Sequence, residues 1–291
     1  MKKNLVYLFA LAIAFTSCKK EDSTIAPSSE NTNAQKAVVS PINFTKKVLV
    51  EEFVGCSYGN VPNSNYALNT IWMGNTNRVI IASMHINDVM QTSQSVPLVN
   101  SFGNSSSITL PCALINRTGN TGTRLLNYMQ YNAKVQQALA QVTPCGLAIT
   151  SKLSGNMAEI EVKTKFSSAV TGAFTVSAYL VHQVVNSSAA NYGQANNFNS
   201  TSGHPFYGKG NPVIPYTHQH VVFRTLESLN SGRVQNSALV AGGIDVQRFN
   251  CDIPQYQMSN DCYVIAYITN NATREVINVQ KVKLGMNQNW D

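Results

Sequence analysis

The apolar positions fall into three regimes. Residues 5–15 form one uninterrupted apolar run, 16–36 are mostly polar, and from Lys46 onward the pattern predicts folded elements. Val48-Leu49-Val50 with Phe53 and Val54 reads as a strand that ends at Gly55. Within 63–77, Tyr66, Leu68, Ile71 and Trp72 recur at helical spacing. Residues 78–86 carry Val79-Ile80-Ile81, the continuous apolar run of a strand buried on both faces. A short helix is expected within 91–102, a strand over 108–115 interrupted by Pro111, and a helix over 123–141. Strand and helix in alternation predict α/β layering.

After Pro144 the period drops from helical to two. Residues 147–153 and 157–166 read as a hairpin around Ser154-Gly155-Asn156, and Phe174, Val176, Ala178 and Leu180 share one face of the next strand. Further strands are expected over 218–226, 241–249, 261–269 and 275–284, the last two joined by Asn270-Asn271-Ala272-Thr273. About seven short strands predict an all-β, immunoglobulin-like sandwich. Residues 186–217 interrupt them as a long polar insertion. The expected organisation is a signal over 1–17, a tether over 18–42, an α/β domain over 43–142 and the sandwich over 143–291.

Composition narrows the classes. In 291 residues, 44% are hydrophobic and only 12% charged, against roughly 25% charged in an average soluble protein. That excludes a coiled coil and an acidic disordered chain. The net charge of +7 comes from scattered basic residues with no run longer than two. A nucleic-acid binder needs a basic stripe interleaved with aromatics, so none is expected as a partner. No Ser-His-Asp order, phosphate-cradling glycine loop or zinc helix motif is evident, so no cofactor is expected.

The N-terminus carries an address. Eleven apolar residues after Lys2 and Lys3 are too few to span a bilayer, which takes about 20, and fit the core of a signal peptide. Phe15-Thr16-Ser17-Cys18 resembles a bacterial lipoprotein signal, which implies lipidation of Cys18 and a membrane anchor. Lys19-Lys20-Glu21-Asp22 resembles the surface-export signal of Bacteroidota lipoproteins. An outer-membrane location follows, facing the periplasm or the cell surface. The Ser-, Asn- and Pro-containing stretch that follows reads as a flexible spacer.

Residues 48–55, Val-Leu-Val-Glu-Glu-Phe-Val-Gly, and then Gly59-Asn60-Val61-Pro62 resemble the thioredoxin-like domain of a Bacteroidota outer-membrane lipoprotein family named for its twenty-eight-kilodalton member. That family carries a Cys-x-Asn-Cys-Pro segment. Laid on it, the cysteine positions are Tyr58 and Val61, while Gly55, Asn60 and Pro62 keep the frame. Leu110-Pro111 matches the site where thioredoxin folds place a cis-proline opposite the motif. Dithiol exchange needs two thiols two residues apart, so the resemblance implies a scaffold without that catalysis. Residues 216–224 and 264–268 also resemble the family's C-terminal part.

Five cysteines remain beyond Cys18. If Cys112 lies near Cys56, three readings compete: a disulfide, favoured by an oxidising compartment; buried thiols; or a non-standard redox couple. Cys251 and Cys262 flank a loop that a disulfide could close, worth about 2 to 3 kcal/mol. Cys145 is then left over. His218 and His220 alternate on a strand and could share a metal, with His182 as a third ligand; packing or hydrogen bonding is the blander and preferred account, so no metal is expected. Tyr192, Phe198, Phe206 and Tyr207 form a candidate binding loop for a protein or glycan, or else pin the insertion onto its own domain. The leading expectation is a lipid-anchored, non-catalytic binding or structural module. The rival is a thiol–disulfide oxidoreductase working through Cys56 and Cys112.

Overall fold

The computed structural model describes residues 43–103, 108–120, 122–254 and 261–291, all within one compact unit. The expected signal, Cys18 and the expected tether lie outside the described residues. Strand β1 (Val48–Val54) is buried along its whole length. Its period of two sends Leu49 and Phe53 to one face and Val48 and Val50 to the other. β2 (Val79–His85) runs parallel to it and divides in the same way, with Ile80, Ala82 and Met84 opposite Val79 and Ile81.

Helices cover both faces. α1 (Val61–Met73) and α3 (Tyr131–Leu139) lay Leu68, Ile71, Tyr131 and Val135 on one side. α2 (Ser95–Asn100), with Val99 and the nearby Phe102, covers the other. Pro62 sits in the first turn of α1, where a missing N–H costs nothing. The helix expected over 123–141 is shorter, because Asn127 and Gln130 form a capping box that starts a 3-10 turn only at Tyr128. Before that turn, Leu126 exchanges hydrogen bonds with Ala113. β3 (Cys112–Ile115) is antiparallel to β1 and begins immediately after the cis Leu110–Pro111 bond. Its start is later than expected, as a proline cannot donate to the ladder.

The protein is mostly β-sheet, in two sheets. β6 (Phe174–Ser187), β7 (Tyr216–Leu226), β9 (Cys262–Asn270) and β10 (Val276–Lys283) join the first three strands in one seven-stranded sheet, ordered β10-β9-β6-β7-β2-β1-β3. β4 (Cys145–Ser154), β5 (Met157–Phe166), β8 (Ile244–Asp252) and β11 (Asn287–Gln288) form a four-stranded sheet ordered β11-β4-β5-β8. Val176, Ala178 and Leu180 of β6 and Val264, Ala266 and Ile268 of β9 pack against Leu147, Ile149, Ile160 and Val162 of the smaller sheet. The switch of period near residue 143 falls between α3 and β4, yet the large sheet runs across it through the pair Ser83–Val221.

A buried polar knot ties the halves of that sheet. Glu51 of β1 accepts from Arg117 Nε and Nη2 at 2.7 and 2.6 Å and from Tyr179 Oη of β6 at 2.7 Å. Arg117 Nη2 also reaches the hydroxyls of Tyr179 and of Tyr267 on β9, both at 3.1 Å. Residues ahead of β1 and beyond β10 also meet: Lys47 Nζ donates to Gln280 at 2.7 Å and pairs with Asp291 at 2.5 Å.

Candidate functional site

β1 and β2 end side by side, Val54 against His85, and the chain beyond β1 turns through Gly55 and Cys56 into α1. A side chain at Gly55 would collide with the carbonyl oxygen of Ile86, so glycine is needed for this close approach. The Tyr58 ring lies over Gly55, and its hydroxyl accepts from Asn87 Nδ2 at 3.1 Å. Val61 is fully buried as the first residue of α1. No sulfur stands at either position. The cis Pro111 precedes Cys112, which pairs with Phe53 near the end of β1.

Cys56 is held through its backbone. Its N–H donates to Asp88 Oδ2 at 2.9 Å, and its carbonyl accepts from the Ala195 N–H at 2.8 Å and Gln194 Nε2 at 3.1 Å. Burial, reinforced by the Asp88 carboxylate, pushes its thiol up to about 12. The same Asp88 oxygen lies 2.6 Å from His85 Nδ1. Although burial works against it, bonds from His85, Met90 N–H and Cys56 N–H hold the Asp88 carboxyl below its ordinary value. His218, at the start of β7, places its ring 5.1 Å from that of His85 and its Nε2 4.0 Å from Cys56 Sγ. Nε2 also bonds the Tyr192 carbonyl at 2.8 Å. Burial lowers its pKa to about 4, so the imidazole is neutral at physiological pH.

The insertion covers this corner. Gln194, wholly buried, spreads Nε2 over the carbonyls of Gly55, Cys56 and Tyr58 at 3.0 to 3.4 Å. Asn197 N–H donates to the Gly59 carbonyl at 2.9 Å, and its side chain reaches Asn60. Rings continue the cover inward: Phe198 stacks on His204 at 4.1 Å, Phe206 lies 6.0 Å from Tyr216, and Tyr216 lies 4.8 Å from His218. Of the four loop aromatics offered either as a partner surface or as a pin, Phe198 and Phe206 are spent on internal packing, and the Tyr192 backbone on His218. Tyr207 alone of the four is largely exposed, at 53%. The insertion is pinned, one of the two outcomes expected for it, and it docks on the turn after β1 as well as on Tyr216 and His218 of β7.

The other site expectations are corrected by placement. His218 and His220 do not converge on one another: His218 lies against His85 and Cys56, whereas His220 has a left-handed backbone, φ +56°, and lies against α1. His220 packs edge-on against Trp72, and neither of its ring nitrogens has a hydrogen-bond partner among the described residues. His182 stacks on Phe223 and lies 3.4 Å from Cys262 Sγ. No disulfide joins Cys56 to Cys112 or Cys251 to Cys262. Cys251 stands in the smaller sheet beside Arg224, whereas Cys262 stands in the larger sheet beside His182. Burial, with the Glu52 carboxylate behind it, pushes the Cys112 thiol up to about 12, and burial does the same for Cys145. Sequence reasoning missed His85 and Asp88; the signal was a histidine closing a buried strand with an aspartate three residues on.

Glu52, on the face of β1 opposite Glu51, accepts from Ser64 Oγ at 2.6 Å and Ser83 Oγ at 3.4 Å. Burial pushes its carboxyl up to about 7. A cavity of about 10 Å³ separates it from His220.

Two solved structures share this fold. HBP35 of Porphyromonas gingivalis overlays 83% of this chain and 76% of its own at a TM-score of 0.61 and 16% identity. Protein AGR_C_4864 from Agrobacterium tumefaciens overlays 85% of this chain and 98% of its own at 0.50 and 13%. At such identities the likeness is one of fold alone. A domain of the outer membrane lipoprotein Omp28 from Porphyromonas gingivalis is also similar, over 50% of this chain and 91% of that one, at a TM-score of 0.31 and 13% identity. No curated protein sequence matches the chain. The model of the outer membrane protein Omp28 family matches residues 100–288, well over half of the chain, and the chain belongs to that family.

Proposed function

We propose that this protein is an outer-membrane lipoprotein, anchored through Cys18, that binds a partner or serves structurally without catalysing thiol–disulfide exchange. The carrying observation is the occupied and covered motif turn. Tyr58 and the buried Val61 stand where a dithiol would be, and Gln194 closes the turn from outside. Support for a thioredoxin-like unit comes from the order β2-β1-β3, the helix opening at Val61 and the cis Leu110–Pro111 bond ahead of β3. Support for an immunoglobulin-like sandwich comes from the smaller sheet packed face to face on β6 and β9. Cys56 and Cys112 would have to react as thiolates, and both thiols are pushed up to about 12. The exposed Tyr207 and Ile214 offer a protein or glycan partner contact area on the insertion.

Reduction of a small disulfide substrate by the purified protein tests the reading. Turnover at the background rate, equal in wild type and Cys56→Ser, is expected. Turnover that disappears in Cys56→Ser would establish the oxidoreductase instead. For the anchor, Cys18→Ala should move the protein from the outer-membrane fraction to the soluble fraction; unchanged membrane retention would refute lipidation at Cys18.

A further inference from the structure

We infer that Cys56, His85 and His218 form a binding site for a zinc-class transition-metal ion beneath the insertion. The three donors come from separate stretches of chain, namely the turn after β1, the end of β2 and the start of β7. Their ligand atoms all lie within 4.8 Å of one another, and among the described residues this group has three members. With metal–ligand bonds of about 2.0 to 2.3 Å, neighbouring ligands of a tetrahedral ion stand about 3.3 to 3.8 Å apart. The donors therefore close on an ion by moving about 1 Å.

Each donor is already oriented. Asp88 holds Nδ1 of His85 at 2.6 Å, the carboxylate–histidine arrangement that aims a ligating imidazole and raises its basicity. The His218 nitrogen facing Cys56 Sγ is Nε2, at 4.0 Å, and it now bonds the Tyr192 carbonyl at 2.8 Å, so an ion at this site takes the place of that hydrogen bond. Cys56 is fixed on both sides of its Cα, by Asp88 at its N–H and by the insertion at its carbonyl. All three residues are at most 8% exposed.

One sulfur and two imidazole nitrogens are the donors of zinc and its neighbours, while magnesium and calcium require oxygen. On binding, the Cys56 thiol gives its proton to solvent and its thiolate coordinates; no electron is transferred. Three protein ligands leave a fourth tetrahedral position for water or an exogenous donor. This inference does not depend on the proposed function, because disulfide turnover and metal uptake are measured separately.

The test titrates the reduced, full-length chain with Co²⁺ and then competes with Zn²⁺. One equivalent of Co²⁺ with a thiolate-to-cobalt charge-transfer absorption, displaced by Zn²⁺, is expected. Cys56→Ser should abolish that absorption, Cys112→Ser and His220→Gln should keep it, and Asp88→Asn should weaken binding about 10- to 100-fold. Far-UV circular dichroism checks each variant for folding. Should Cys56→Ser fail to fold, wild-type stoichiometry and Asp88→Asn decide the matter. No stoichiometric uptake by wild type, or charge transfer that survives in a folded Cys56→Ser, overturns the site.

Discussion

Two adjacent glutamates on β1 meet opposite fates at the scale of single residues. Glu51 keeps a guanidinium beside it, whereas Glu52 is bonded, among the described residues, by the hydroxyls of Ser64 and Ser83. A carboxyl without a cation is stabilised by burial in its protonated form. Glu52 titrates near 4.5 in an unfolded chain and about 7 when folded. Its contribution is thus complete below about pH 4.5 and is lost as the pH rises toward about 7, because the unfolded chain sheds its proton first. The loss amounts to about 2 to 4 kcal/mol. Glu52→Gln should accordingly stabilise the protein more at about pH 8 than at about pH 5, measured by urea unfolding. Equal effects at both pH values would show that Glu52 is ionised in the fold. The neighbouring Cys112, Tyr131 and Tyr216 all feel this carboxylate.

The insertion decides the chemistry at the scale of elements. A segment with few apolar residues stays ordered only if its polar groups are satisfied, and Gln194 and Asn196 do this work. Asn196 donates to the carbonyls of Phe206 and Gly210 at 3.0 Å while its own oxygen accepts from Phe198 N–H. Gln194→Ala removes the donor shared by the carbonyls of Gly55, Cys56 and Tyr58 and should loosen the cover by about 1 to 3 kcal/mol. Hydrogen exchange should quicken at the Ala195 and Asn197 amides and leave those of β1 unchanged. Uniform acceleration across the sheet would mean that the insertion is part of the global folding unit. Composition showed this stretch to be polar and aromatic. Its docking on the turn after β1 was not legible, because the hydrogen bonds that hold it join residues more than a hundred positions apart.

For the whole molecule, the period of each segment was legible and the partnership of segments was not. The strands at 48–54 and 174–187 each read correctly as strands, yet nothing local says that they share a sheet. The Arg117 knot joins them, with Glu51 from the first and Tyr179 from the second. Removing one partner of a buried pair leaves the other charge uncompensated, so Arg117→Ala should cost about 3 to 5 kcal/mol. Unfolding followed by circular dichroism and by tryptophan fluorescence should remain one coincident transition at a lower midpoint. Two separated transitions would instead show that the sheet's halves fold independently.

The sequence by itself determined the apolar run ahead of Cys18, the layered start and strand-rich remainder, and the absence of thiols at Tyr58 and Val61. These are local facts, set by residue identity and by periods of 2 and 3.6. Only the tertiary structure decided that Cys251 and Cys262 stand in different sheets, that His218 leaves His220 to join His85 and Cys56, and that Gln194 seals the turn. Those outcomes depend on which buried surfaces meet, and no repeat along the chain records the long-range pairing that satisfies them.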